Sequence, residues 1–139
     1  MTMALVVPDQ GEIILLQYLT GIVSAGSPTL HLFGGNTTPS DSTTLSGLQN
    51  ASNAVTSSGY AFSVLASNKW TTTQSVSGVT TALYSEVTFT FNTDATVYGY
   101  YVTDSAVNNL LWVERFSGAP FQIPDGGGTI TITPKVTLS

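Results

Sequence analysis

The chain has 139 residues, and only 8% of them are charged, against roughly 25% in an ordinary soluble protein. Eight acids face three cations, Lys69, Arg115 and Lys135, for a net charge of −5, so the chain cannot neutralise many phosphates; nucleic-acid binding and attraction to an anionic membrane are excluded as main activities. Cysteine is absent, which removes disulfides, thiolate metal sites and cysteine nucleophiles together.

This length supports one domain with one core. The expected organisation is an N-terminal arm over 1–8 followed by a domain over 9–139 that contains a helix near 10–20. Met1 to Val7 form a short apolar arm ending at Pro8, which disfavours helix at the residue before it. No stretch is long and apolar enough for a transmembrane helix, and the arm lacks the basic flank of a secretory signal, so synthesis and folding in a cytoplasm are expected. The sequons at Asn36 and Asn50 then read as chance matches in a Thr- and Ser-rich chain.

Asp9 with Glu12 three residues on matches a capping box, and Ile13, Leu16, Tyr18 and Leu19 follow, which predicts a helix over Gln10 to Thr20 closed by Gly21. Ile13, Ile14, Leu15 and Leu16 are consecutive, so this helix is expected to be largely covered by the sheet or by a partner. Thr29 to Phe33 alternate as a strand, with Leu30 and Leu32 on one side and His31 on the other. The segment from Asn36 to Gly59 has no clear period, although Leu45, Leu48 and Gln49 suit a helical turn. Tyr60 to Leu65 read as a strand, with Trp70 beyond the next turn as an anchor in the core or at an interface.

The cleanest alternation lies within Val79 to Phe91, where Val87, Phe89 and Phe91 share a face. The candidate core is the hairpin of Val97 to Thr103 and Leu110 to Phe116 around a polar loop from Asp104 to Asn109. In the second strand Leu110, Trp112, Glu114 and Phe116 are expected on one side and Leu111, Val113 and Arg115 on the other, a strand covered twice. Glu114 and Arg115 should therefore pair across strands and not with each other. After the turn from Asp125 to Gly128, Thr129 to Thr133 form a last strand that Pro134 ends.

Chemistry is sparse. A Ser-His-Asp set would need His31, the one histidine, and there is no G-x-S-x-G elbow; no H-E-x-x-H, P-loop or dinucleotide fingerprint occurs. The residues point to no enzyme, no metal and no cofactor.

Several stretches carry a resemblance: Met3 to Glu12, Leu30 to Phe33 with Asn36 to Pro39, Gly59-Tyr60-Ala61, Trp70, Val97 to Val102, Leu111 to Phe116 and Ile132 to Ser139. Together they resemble small virion structural proteins of tailed bacteriophages, and most of all capsid decoration, or cement, proteins. The resemblance implies a mostly β fold, an antiparallel, jelly-roll-like β-sandwich with a short N-terminal helix. It also implies a non-enzymatic role on the outer surface of the head, binding the major capsid protein and itself as a dimer or trimer. It supplies no set of binding residues, so the interface candidates come from the chain: Met3, Leu5, Val6 and Val7 on the arm, Ile14 on the helix, Trp70 and Arg115. Two other readings stand beside it. One is a tail or fibre component recognising a host surface glycan through Trp70, Tyr100 and Trp112; the other is a glycan-cleaving enzyme with paired carboxylates in a cleft.

Overall fold

The structure is a computed structural model that describes residues 5–138. It is mostly β, with antiparallel sheets and one short N-terminal helix of twelve residues, α1 (Asp9–Thr20). Four strands make the largest sheet. In it β1 (Thr29–Phe33) lies between β2 (Ser63–Val64) and β7 (Gly99–Thr103), and β7 pairs in turn with β8 (Leu110–Arg115). The expected central hairpin is thus β7–β8, and its apolar residues are buried on both faces.

One detail of β8 departs from simple alternation. Val102 lies opposite Trp112 while Thr103 lies opposite Leu110, so Leu111 is an extra residue on its strand. Such a bulge shifts the phase of every side chain beyond it. Leu110 therefore joins Val113 in one apolar cluster, with Phe33, Leu45, Leu48 and Tyr101, while Leu111 joins Trp112 in the other. This corrects the expectation that Leu110 sides with Trp112 and Leu111 with Val113.

The larger cluster joins buried residues of the four-stranded sheet to residues of the chain from Tyr84 to Phe91 and to Ile123 and Ile132. The stretch Val79 to Phe91 contains two strands, β4 (Thr80–Tyr84) and β5 (Val87–Phe91). β5 pairs with β10 (Gly128–Ile132) and β4 with β11 (Lys135–Leu138), on either side of a corner at Ser85–Glu86 and Thr133–Pro134. Pro134 marks that corner because it has no N–H for the ladder, and its carbonyl accepts from Tyr84 N at 2.9 Å. β3 (Trp70–Gln74) adds to the far edge of β4, and β6 (Ala95–Val97) pairs with β9 (Phe121–Ile123).

The opposite face of the four-stranded sheet is closed by the long polar segment. Its five-residue helix α2 (Leu45–Gln49) buries Leu45 and Leu48, and Thr44 Oγ1 accepts from Gly47 N at its start. Asn53 orders the rest: its amide donates to Gly47 O at 2.7 Å and its Oδ1 accepts from Thr37 Oγ1 at 2.8 Å. The strand expected over Tyr60 to Leu65 shrinks to two residues, because Tyr60 Oη, not a backbone carbonyl, accepts the N–H of Leu32 at 2.8 Å.

The capping box does not form. Pro8 occupies the position before the helix, Asp9 is already its first residue, and no side chain caps it. Asp9 N instead donates to Asp41 O at 3.0 Å. The C-terminal end is as expected: Gly21 takes φ 74°, and Gly21 N and Ile22 N bond the carbonyls of Tyr18 and Gln17. The helix docks on β8 through Gly11, where a Cβ would overlap the Leu111 carbonyl. Gln10 fixes its register, donating to Asn109 Oδ1 at 3.2 Å and accepting from Leu110 N at 3.3 Å.

Candidate functional site

The candidate interface residues divide sharply once placed. Met3 lies outside the described residues. Val6 exchanges two backbone hydrogen bonds of 2.9 Å with Val113, so the described part of the arm extends the sheet of its own chain at β8. Leu5 and Val7 pack on the larger cluster and Val6 on the smaller. Ile14, half-buried, also packs on the larger cluster. Trp70 stands edge-on to Tyr84 at 5.0 Å and to Trp112 at 6.3 Å, half-buried. Arg115 lies over the Tyr98 ring at 4.8 Å and donates to Thr37 O at 3.0 Å, which ties β8 to the long loop.

The sheet of its own chain covers only one face of the helix. Gly11, Ile14, Leu15 and Tyr18 turn inward, while Ile13, Leu16 and Leu19 recur every three residues on the outside. Ile22 and Val23 continue that stripe past the cap. These five side chains are between 41% and 82% exposed and form an apolar ridge. The signal for it was present: four consecutive apolar residues on a helix cannot all face one sheet.

A second feature is a cavity of about 630 Å³ between β10, β11 and the ends of β8 and β9. Its walls include Phe116, Phe121, Glu114 and Lys135, with Ile130 and Ile132 on β10. Phe116 and Phe121 meet edge to face at 5.4 Å, and Phe121 is 45% exposed. Tyr100 Oη donates to Glu114 Oε2 at 2.7 Å and accepts from Lys135 N at 3.4 Å. Burial, and then the Glu114 carboxylate beside it, push this phenol far above its ordinary range, so it stays a donor. Sequence reasoning missed the cavity because its walls come from positions as far apart as 83 and 135.

His31 is sequestered. Its Nε2 lies 2.8 Å from Thr29 Oγ1 and 3.2 Å from Thr103 Oγ1, and its ring stacks on Tyr101 at 4.9 Å. Burial lowers its pKa to about 4, so the neutral ring is the stable form at neutral pH. Tyr100 and Trp112, two of the three platforms suggested for a glycan, are buried in the larger cluster, so neither ring is open to a sugar. Among the described residues no group of three or more His, Asp or Glu is arranged to hold a metal ion. Among the described residues no helix is long and apolar enough to cross a membrane. Neither a family model, a curated protein nor a solved structure matches this chain.

Proposed function

We propose that this chain is a non-enzymatic structural protein that works packed against other protein surfaces, a capsid decoration protein of a tailed bacteriophage. The observation that carries the packing role is the apolar ridge on α1. A monomer rarely shows a contiguous apolar patch beyond a few hundred Å². Five residues exposed to this extent present on the order of 600 Å², close to the roughly 800 Å² that each partner contributes to a standard interface.

A second copy fits that ridge. Two α1 helices packed antiparallel about Leu16 place Ile13 of one copy against Leu19 of the other. Glu12 of each copy then faces Thr20 of its mate, so the carboxylates stay apart. A parallel pairing would set Glu12 beside Glu12, and nothing basic on the ridge would offset it. The phage setting, the outer head surface and the major capsid protein as partner come from the sequence resemblance. So does the finer architecture, in which two facing layers make a jelly-roll-like sandwich. Low charge and the absence of disulfides suit such a role, since binding a partner only in the folded form stabilises the fold by mass action.

The test is to add purified protein to phage heads that lack it. Saturable binding, with heads that then resist heat or chelator better than bare ones, supports the proposal. Failure to bind, together with a monomer at every concentration, contradicts it.

A further inference from the structure

We infer that the cavity beside β10 is a binding site for a neutral saccharide ring, a role separate from the α1 ridge. Five consecutive residues, Thr129 to Thr133, line it, so the cavity runs along an edge of β10 and not under one face. β10 pairs only with β5, and no backbone bond leaves its other edge among the described residues. The outward N–H and C=O groups of alternate residues are thus free to bond a ligand.

Two further polar groups converge there from other strands. Glu114 on β8 has Oε2 occupied by Tyr100, while Oε1 takes no hydrogen bond among the described residues. Lys135 on β11 lines the same cavity, yet no ion pair joins it to Glu114. The Phe116–Phe121 pair supplies an aromatic wall with Phe121 open to solvent.

A pyranose matches this set. Its C–H face lies on an aromatic ring, while its hydroxyls both donate and accept, as a carboxylate, an ammonium and free backbone groups require. The volume lies within the range of small-molecule sites, roughly 300–1,000 Å³, and exceeds one sugar ring. An added peptide strand fits less well. It would satisfy the β10 edge along a single line and leave the Glu114 and Lys135 charges desolvated without partners.

The experiment is an amide-resolved NMR titration of the whole chain with four neutral pyranose disaccharides: cellobiose, maltose, lactose and chitobiose. A peptide of alternating Thr and Val is titrated in parallel. At least one disaccharide should shift the amides of Phe116, Phe121 and Ile130, with an affinity of roughly millimolar. Phe121→Ala and Glu114→Gln should each weaken it about tenfold or more, and Val76→Ser, on a distant exposed turn, should leave it unchanged. Thermal unfolding of each variant confirms its fold. The inference is overturned if none of the four disaccharides moves these amides, if both folded cavity variants bind as the parent does, or if only the peptide moves them.

Discussion

Replacing Gly11 by alanine puts the docking of α1 to a severe test. In an ordinary helix interior this change stabilises by up to about 1 kcal/mol, because glycine loses more backbone entropy on folding. Gly11, however, is the residue of α1 buried against β8. An added Cβ would overlap the Leu111 carbonyl oxygen and come within 2.9 Å of its carbon and 3.0 Å of the Leu110 oxygen, all of them backbone atoms. That backbone belongs to β8, which is held by β7 on one side and by the Val6 bridge at Val113 on the other, so the helix must lift. Overpacking of this kind costs about 1–3 kcal/mol. Lifting also loosens the inward contacts of Ile14 and Tyr18 and the Gln10 bonds to Asn109 and Leu110. The sign therefore reverses, to a net destabilisation of about 1–2 kcal/mol. Urea unfolding followed by tryptophan fluorescence reads this as a lower midpoint at unchanged slope. A midpoint raised by the helix-propensity increment would refute the docking geometry.

Three other predictions follow from single residues. Val107 holds φ 57° in the β7–β8 loop, a conformation that a β-branched residue adopts under strain; Val107→Asn should raise stability by about 1 kcal/mol in thermal unfolding, and a loss would contradict it. His31 titrates near 4 when folded and near 6.5 when unfolded, so the stability due to its neutral form is complete above about pH 6.5 and is lost as the pH falls toward 4. The loss amounts to at most about 3 kcal/mol, and His31→Gln should lose that much less than the parent between pH 7 and 4; equal losses would show that His31 does not titrate in this window. Tyr60→Phe removes the acceptor for Leu32 N in the buried sheet and should cost about 1–3 kcal/mol, whereas a neutral result would mean that another group takes the bond.

How far the fold could be read beforehand follows from the range of the forces involved. The β7–β8 hairpin, β1, α2 and the Gly21 stop were legible because each is decided by local pattern: two-residue periodicity, a leucine pair, a glycine where left-handed backbone is needed. The Leu111 bulge was not, since an extra residue on one strand leaves no local mark but reassigns Leu110 to the opposite face. The corner at Ser85–Glu86 was hidden because Leu83 falls in phase with Val87, Phe89 and Phe91, although it is Leu83 that is exposed and the out-of-phase Tyr84 that is buried. β3 was missed for a different reason: Thr71, Thr72, Thr73 and Gln74 are exposed, so their strand conformation is set by pairing with β4 and not by burial. The functional features show the same divide. The α1 ridge is written in consecutive residues, whereas the cavity joins Tyr100, Glu114, Phe121 and Lys135 only through the topology.

The central claim is that α1 buries its apolar ridge against another copy. Sedimentation velocity over a range of protein concentrations tests it most directly, on the parent chain and on a Leu16→Glu, Leu19→Glu variant whose changes lie on exposed positions. The account predicts a parent dimer and a folded, monomeric variant at the same concentration. A parent that sediments as a monomer throughout, or a variant that associates as the parent does, would contradict it.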